Sequence, residues 1–237
     1  MDLSAFRIDA LPVTNAAYAA FLNRQPQVKL WHERQVFLDP PDRPRVLWAD
    51  IAEAEGNGGL LHQQGRYQAR PGFAQRPVTQ VSWDGALAYC QAQGLRLPTE
   101  AEWEFAARGT GTSTFPWGEE TPRCAGVVFA RGKGRACQAQ SYGPAEVGSA
   151  PQDSSPQGVR DLAGNVSEWV MDRFQERYAP CPAPCQDPLV AEAQGADQRV
   201  VRGGDWFLPA PFCRAAMRSR RCTLTATFAP ASGAPYR

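Results

Sequence analysis

Glycine and proline occur along almost the whole chain, and they limit it to short helices and strands joined by long loops. The sequence contains 21 glycines and 21 prolines among 237 residues. Glycine interrupts regular structure through its conformational freedom, and proline does so through its missing N–H. A helical bundle is therefore excluded, and an α+β fold with little regular secondary structure is favoured.

Size and charge narrow the class of protein further. A chain of this length fits one large domain or two small ones. A formal net charge of +1 gives no electrostatic basis for binding nucleic acid or an anionic membrane. The sequence has neither an apolar run long enough to span a membrane nor a secretory signal. We therefore expect the partner to be a protein or a small molecule.

Cysteine content bears on the cellular compartment. Seven cysteines slightly favour a periplasmic or extracellular location, because disulfides persist in oxidising compartments. No signal peptide supports that location, so the compartment stays open.

The stretch with the most metal-binding potential is residues 161–174. Asp161 and Glu168 supply carboxylate oxygens, and Gly164 permits a sharp turn between them. The backbone carbonyls of Gly164 and Val166 can then point at the same centre. Calcium prefers such a mixture of carboxylate and carbonyl oxygens on a flexible loop. The alternative interpretation is a polar turn leading into a strand, with Glu168 on the surface.

Local patterns predict the helices. Thr14 or Asn15 is a suitable N-cap for a helix over residues 16–23. Thr99 and Glu102 form a capping box, in which each side chain satisfies a free amide of the first turn. The helix that follows them is predicted to end at Gly109.

The remaining elements are predicted with the same rules. Ser82 or Asp84 begins a helix that Gly94 ends. Short strands are expected at residues 6–9 and 199–202. Residues 25–75 are expected to be irregular, because they contain several glycines and prolines and show no clear periodicity.

Six motifs follow one another in an order that resembles a known family. They are 6–9 (FRID) with 12–15 (PVTN), 77–83 (PVTQVSW), 96–104 (RLPTEAEWE), 116–118 (PWG), 164–169 (GNVSEW) and 202–206 (RGGDW). The chain resembles the formylglycine-generating enzyme, or sulfatase-modifying factor, family along essentially its whole length. The resemblance implies a variant of the C-type lectin-like fold, with residues 1–237 forming one loop-rich α+β domain.

The resemblance also implies that the first and last strands of the family domain are missing. No Gly-Gly-Thr-Phe segment precedes the first motif, and the sequence stops at Tyr236 and Arg237 before a final Gly-Phe-Arg-Cys strand. Cys90 matches a family cysteine whose partner lies in that last strand. Either the chain is a fragment, or the strands are absent and an edge is exposed.

The founding enzymes of the family bind copper through two cysteines five residues apart, after an Arg-Gly-Gly motif. Cu(I) requires such soft thiolate ligands. Alignment on Arg214 places these positions on Ala210 and Ala215, so we expect neither copper nor oxidation of cysteine to formylglycine. A second branch binds iron through histidines, and His32 and His62 are too few and too isolated for that chemistry.

For calcium, the resemblance agrees with the residue pattern. The family binds one calcium ion at positions that match Asp161, Gly164, Val166 and Glu168, the first and last through their side chains. A second family site requires an asparagine where this chain has Gly126. We expect the first site to be kept and the second to be lost.

Two local disulfides are predicted. Cys124 with Cys137 would close a loop that the second calcium ion no longer stabilises, and Cys181 with Cys185 would close a shorter one. The alternative is that all seven cysteines are reduced and buried as small apolar side chains.

A candidate ligand-binding surface follows the Arg-Gly-Gly motif, in the region of the family's substrate cleft. It consists of Trp206, Phe212, Arg214 and Arg218. Guanidinium groups suit carboxylate, phosphate or sulfate, and the aromatic rings can stack on a ligand. The alternative interpretation is that these arginines are structural, paired with acidic side chains or loop carbonyls.

Two functions are compatible with this pattern. The first is a non-catalytic, calcium-stabilised module that binds a protein or a small molecule. The second is an oxidoreductase or maturation enzyme that acts on a peptide or small-molecule substrate in the same cleft. Family members include both enzymes and non-enzymes, so the fold alone does not decide between them.

Overall fold

A computed structural model describes residues 1–42, 44–51, 58–137, 142–178, 180–192 and 197–223. Within these ranges, short helices and strands are joined by long loops in an α+β arrangement. The helices are α1 (Asn15–Leu22), α2 (Trp83–Gln91) and α3 (Glu100–Arg108). The strands are β1 (Val28–Trp31), β2 (Gln35–Leu38), β3 (Val46–Asp50), β4 (Leu60–Gln63), β5 (Arg66–Ala69), β6 (Glu168–Arg173), β7 (Gln198–Arg202) and β8 (Arg218–Cys222). None of the described helices is long and apolar enough to cross a membrane.

Each of the three helices begins after a predicted N-cap residue, whose side chain accepts an N–H group of the first turn. The Thr14 side chain accepts the Ala17 N–H, and α1 spans Asn15–Leu22, one residue earlier than predicted. Before α3, Thr99 Oγ1 accepts the Glu102 N–H at 3.2 Å, and Glu102 Oε2 accepts the Thr99 N–H at 2.8 Å. Two amides of the first turn are thus satisfied reciprocally. This capping box fixes where α3 begins, next to the third sheet.

Three small antiparallel sheets are formed, in the orders β1-β2-β3, β4-β5 and β6-β7-β8. The prediction that residues 25–75 are irregular is wrong, because β1 to β5 lie there. The turn between β1 and β2 is made by His32 and Glu33, with φ of 47° and 58°. Neither is a glycine, so nothing in the local sequence marks this hairpin.

The prediction of a strand at residues 6–9 is also wrong. The composition is that of a strand, but these residues pair with no strand in the described part of the chain. The predicted loss of a final strand concerns Tyr236 and Arg237, which lie outside the described residues.

Tryptophans join the third sheet to the core. The Trp169 indole N–H donates to the Val81 carbonyl at 2.9 Å, and the Trp83 indole N–H donates to the Val170 carbonyl at 2.8 Å. Trp169 and Val170 are fully buried, as expected for residues that anchor the preceding loop. The position of residues 161–168 is therefore set by the start of β6 and its contacts with α2.

Both predicted disulfides are confirmed. Cys124 is bonded to Cys137, and Cys181 to Cys185. Three other cysteines form no disulfide within the described residues, two of them buried and one exposed; they are Cys90, Cys213 and Cys222.

Removing the longer disulfide by C124S/C137S is expected to lower the free energy of unfolding by about 3 kcal/mol, because the unfolded chain regains the entropy of an open loop. The closed loops span 13 and 4 residues in sequence separation. C181S/C185S is the matched control, and its expected loss is about 2 kcal/mol because a shorter loop restrains the unfolded chain less. Urea titration of both variants measures the difference, and a larger loss in the control would contradict the loop-entropy explanation.

Candidate functional site

The loop that precedes β6 is held by backbone contacts to two other loops. The Asn165 N–H donates to the Val128 carbonyl at 2.8 Å, and the Trp206 N–H donates to the Asn165 carbonyl at 3.0 Å. A Cβ on Gly164 would lie 2.6 Å from the Val128 carbonyl oxygen, so only glycine fits there. These contacts place the carboxylates of the loop at a defined depth inside the protein.

Three carboxylates are buried together around this loop. Asp153, Asp161 and Glu168 are 1%, 0% and 3% exposed. The interpretation that placed Glu168 on the surface is therefore wrong. Its Oε2 accepts the Trp103 indole N–H at 2.5 Å. Asp161 Oδ2 accepts the Gly148 N–H at 2.6 Å.

Burial keeps these carboxylates poorly ionised unless a cation is present. Burial, with a smaller contribution from the nearby Asp161, raises the pKa of Asp153 to about 7 and that of Glu168 to about 8. The pKa of Asp161 is also raised by burial, although hydrogen bonds from Gly148 and Asn165 oppose the rise. Burial removes the water that solvates the charged carboxylates, and fewer than three basic side chains replace it, so the protonated forms are favoured.

Two oxygen atoms of this cluster lack hydrogen-bond partners within the described structure. They are Oδ1 of Asp153 and Oδ1 of Asp161, and both are buried. Buried polar atoms without a partner are uncommon in folded proteins and often mark a missing water or ion. Nor do any described groups donate hydrogen bonds to the carbonyls of Gly164 and Val166. The loop thus offers oxygen atoms from side chains and backbone.

These oxygens have the chemistry that a hard cation requires. Among the described residues, no group of three or more Cys, His, Asp or Glu side chains is placed to hold a metal by itself. A cation here would therefore depend on the loop carbonyls as well as on the carboxylates. Asp153 was missed by sequence reasoning, because it lies eight residues before Asp161 on a separate turn and no spacing rule connects them.

The positions matched to the copper ligands carry no thiol. Ala210 begins a short 3-10 helix (Ala210–Cys213), and Ala215 is fully buried. Cys213 is also fully buried, and burial raises the pKa of its thiol strongly, with Asp153 and Asp205 adding to the effect. A thiol held in the protonated form is a poor ligand for Cu(I).

Trp206 lies in an aromatic group on the surface. Its ring is 4.9 Å from that of Tyr142 and 5.5 Å from that of Phe207, and the Arg135 guanidinium lies 4.6 Å from the Phe207 ring. Trp206 itself is 8% exposed, whereas Tyr142 is 44% and Phe207 39% exposed. Tyr142, Phe207 and Arg135, which the sequence had not singled out, therefore present more of this surface to solvent than Trp206 does.

Phe212 and Arg214 are both exposed, and the Arg214 Nε–H donates to the Pro211 carbonyl at 2.9 Å. Arg218 belongs to a different group of contacts. Its Nε and Nη2 donate to the two carboxylate oxygens of Glu100 at 2.6 and 2.8 Å, and its guanidinium lies 4.1 Å from the Tyr178 ring. The structure thus separates Arg218 from the aromatic group around Trp206.

A buried arginine joins this second group. The Arg202 side chain is 0% exposed, and its Nη1 and Nη2 contact Glu100 at 2.9 Å and Glu104 at 2.6 Å. Nη2 also donates to the Ala215 carbonyl at 2.8 Å. Glu100 and Glu104 lie one turn apart on the same face of α3. The Arg202 of the Arg-Gly-Gly motif therefore ties α3 to the third sheet.

Comparison with known proteins identifies the family. Residues 1–229 match the family described as the sulfatase-modifying factor enzyme 1-like domain. The chain belongs to this family. It is 31% identical to the formylglycine-generating enzyme of Mycobacterium tuberculosis. The alignment extends over 259 residues and covers 96% of this chain and 86% of that protein. It is 36% identical to the inactive C-alpha-formylglycine-generating enzyme 2 of Bos taurus over 228 residues, which cover 87% of this chain and 67% of that protein.

A solved structure has a similar fold. The structure of PvdO from Pseudomonas aeruginosa superposes with a TM-score of 0.63 at 24% identity, covering 94% of this chain and 76% of that one. At this identity the likeness concerns the fold alone. The relatives of this domain thus include one named as an enzyme and one named as inactive, so any activity has to be argued from its own residues.

Proposed function

We propose that this sulfatase-modifying factor domain is a non-catalytic binding module with a C-type lectin-like fold stabilised by calcium. The observation that carries the proposal is the pair of buried, unpartnered carboxylate oxygens on Asp153 and Asp161. Buried charges are stable when they are paired or bound to a metal, and otherwise they take up protons.

Calcium would be held by the carboxylates of Asp161 and Glu168 and by the carbonyls of Gly164 and Val166. Asp153 would add a third negative charge beside them, because its Oδ1 is buried without a partner and its charge interacts with those of Asp161 and Glu168. The ion would supply charge neutralisation and crosslink the loop to β6. Calcium accepts six to eight oxygen ligands in flexible geometry, which suits an irregular loop of this kind.

The proposal of a non-catalytic role rests on the surroundings of the cleft. Ala210 and Ala215 replace the copper-binding cysteines, and Cys213 is buried and protonated. Cys222, nine residues after Cys213 in sequence, is exposed on β8 and forms no disulfide within the described chain. Neither thiol provides the paired, accessible thiolate chemistry of an oxidase.

Ligand binding is proposed for the aromatic surface formed by Tyr142, Trp206, Phe207 and Arg135, with Phe212 and Arg214 beside it in sequence. Exposed aromatic rings next to a guanidinium favour ligands that present a flat or ring-shaped face, with an anionic group within reach of the arginine. Arg218 is assigned a structural role, because both of its carboxylate contacts and its aromatic contact are internal.

Elemental analysis of protein purified without added metal is the test of this function. We expect about one equivalent of calcium and no stoichiometric copper or iron, because the loop offers hard oxygen ligands. Oxygen consumption should stay at background when the protein is supplied with copper and a cysteine-containing peptide. Stoichiometric copper or iron, or turnover of oxygen, would instead establish the oxidoreductase or maturation enzyme.

A further inference from the structure

A groove of about 460 Å³, the α1–β5 groove, lies between the first helix and the fifth strand. Its helical wall includes Ala16, Ala19 and Ala20, which are three or four residues apart and therefore share one face of α1. Residues 66–69 of β5 form the opposite wall. Because the alanine side chains are small, a space remains between the two walls. Its volume falls within the roughly 300–1,000 Å³ of small-molecule sites.

Asn23 fixes the two walls relative to each other. Its Nδ2–H donates to the Tyr67 carbonyl at 2.8 Å, and its Oδ1 accepts the Tyr67 N–H at 2.9 Å. The Tyr67 backbone groups therefore point away from β4. Those of Ala69 do the same, because the direction of backbone groups alternates along an antiparallel strand. No described group forms a hydrogen bond with the Ala69 N–H on that side, so the groove contains a backbone donor without a described protein partner.

The charged side chains that line the described part of the groove are both guanidinium groups, those of Arg24 and Arg66. Both residues are exposed, and neither forms an ion pair, a side-chain hydrogen bond or an aromatic contact within the described chain. The last carbonyls of α1 accept the backbone N–H groups of residues 23–25 at 3.0 to 3.1 Å, so they do not engage Arg24. Two such guanidinium groups suit an oxyanion with two negative charges.

The chain around the groove lacks acidic residues. The two segments that form it, residues 10–32 and 58–83, contain five Lys or Arg residues and no Asp or Glu. The rest of the chain has more acidic than basic residues. One of the five, Lys29, is paired with Asp39 from outside these segments. The small net charge is therefore distributed unevenly, and the positive potential of this region attracts anions.

We propose that the α1–β5 groove binds a small organic dianion of the phosphate monoester class. Arg24 and Arg66 donate hydrogen bonds to the phosphate oxygens, and the Ala69 N–H is a further donor. The carbon body of the ligand contacts the alanine side chains of the helical wall. The groove shares no lining residue with the calcium loop or with the aromatic surface around Trp206, so the proposal does not depend on the function proposed above.

The probes are n-butyl phosphate, n-butyl sulfate and n-butanol, which share one carbon body and carry two, one and no negative charges at pH 8. Titrations followed by ¹⁵N–¹H correlation spectra measure affinity and locate the amides that shift. We expect butyl phosphate to bind at least about tenfold more tightly than butyl sulfate, because its second charge strengthens the hydrogen bonds from the guanidinium groups. Butanol should not bind, and the Ala69 amide should shift with butyl phosphate. Equal affinity for the two anions, no binding of butyl phosphate, or shifts confined to other parts of the chain would overturn the proposal.

Two double variants test the location at about 0.1 M salt, where distant charges are screened. R24Q/R66Q removes both guanidinium groups of the groove and is expected to weaken binding of butyl phosphate at least about tenfold. R123Q/R220Q is the matched control, because it removes the same charge from exposed arginines whose ion pairs span 3.9 and 3.5 Å. Its affinity should equal that of the unmodified protein. Circular dichroism and thermal melting establish that both variants are folded. Equal weakening in the two variants would mean that net charge alone governs binding, and would overturn the proposal.

A groove-filling variant tests the place of the carbon body. Ala20 is exposed on the helical wall, and A20F occupies the space of the butyl group while both arginines remain. We expect A20F to bind butyl phosphate at least about threefold more weakly and inorganic phosphate unchanged. If folded A20F binds butyl phosphate as before, the carbon body lies outside the groove and the proposal of an organic ligand is overturned.

An internal partner for the two arginines gives a distinct result. The acidic side chains outside the described residues are those of Glu53 and Glu55. If these carboxylates occupy the groove, E53Q/E55Q will bind butyl phosphate at least about tenfold more tightly than the unmodified protein. That result would overturn the proposal, whereas unchanged binding by E53Q/E55Q would support it.

Discussion

Replacing Arg202 with methionine is expected to lower the free energy of unfolding by about 3–5 kcal/mol, because breaking a buried ion pair leaves its partners charged and desolvated. The Arg202 side chain is 0% exposed and contacts both Glu100 and Glu104. Glu100 would keep Arg218, and Glu104 would keep Arg108, but each would lose its buried partner. Methionine has a similar length, so the loss reports charge pairing more than packing. Urea denaturation measures it.

Arg220 on the neighbouring strand provides the matched control. Its ion pair with Glu176 spans 3.5 Å, and the two side chains are 47% and 83% exposed. R220M is expected to change the free energy of unfolding by less than about 1 kcal/mol, because water screens an exposed pair. If R202M and R220M lower the free energy of unfolding by similar amounts, the contacts of Arg202 stabilise the protein no more than an exposed ion pair does.

The same network shows why part of the site could not be predicted. Glu100 and Arg202 are 102 positions apart, and no local rule brings two such residues together. The capping box of Thr99 and Glu102 was predictable because both hydrogen bonds lie within four residues. The disulfides were predictable because the two cysteines of each pair are close in sequence and close a short loop.

Strands were harder to predict than helices. The five strands between residues 28 and 69 are four or five residues long, which is too short for alternation to be read with certainty. Residues 6–9 show the opposite error, because they were predicted as a strand but have no pairing partner within the described structure. A strand depends on a partner from elsewhere in the chain, whereas a capped helix satisfies most of its own hydrogen bonds.

The sequence predicted that the loop of residues 161–168 carries oxygen donors. It did not predict how deeply the carboxylates are buried, which the structure shows. Spacing did not distinguish a surface Glu168 from one that is 3% exposed. Burial is a property of the surrounding fold, and here it comes from Trp103 and the strands of the third sheet. It also changes the chemistry, since a buried carboxylate binds either a proton or a cation.

Calcium is therefore expected to stabilise the protein strongly at pH 8 and weakly at pH 5. The folded-state pKa values of Asp153 and Glu168 are about 7 and about 8, well above their ordinary values of 3.8 and 4.5. Between roughly pH 4 and pH 8 the native state consequently binds more protons than the unfolded state, so without calcium the free energy of unfolding falls as pH rises. Calcium replaces these protons and reverses the loss. At a concentration one hundred times its Kd, calcium raises the free energy of unfolding by about 2.7 kcal/mol, which corresponds to an increase of about 5–10 °C in Tm.

The D161N/E168Q double variant tests whether this loop is responsible. It removes two carboxylates, so both the calcium response and part of the fall in stability with pH should disappear. D172N is the matched control, because Asp172 is equally buried but accepts the N–H groups of Glu100 and Val190 outside the loop. Melting curves with calcium or with a chelator, from pH 5 to pH 8, measure both effects. An undiminished calcium response in D161N/E168Q would place the ion elsewhere, and no response in the unmodified protein at pH 8 would mean that these buried acids are kept neutral by protons alone.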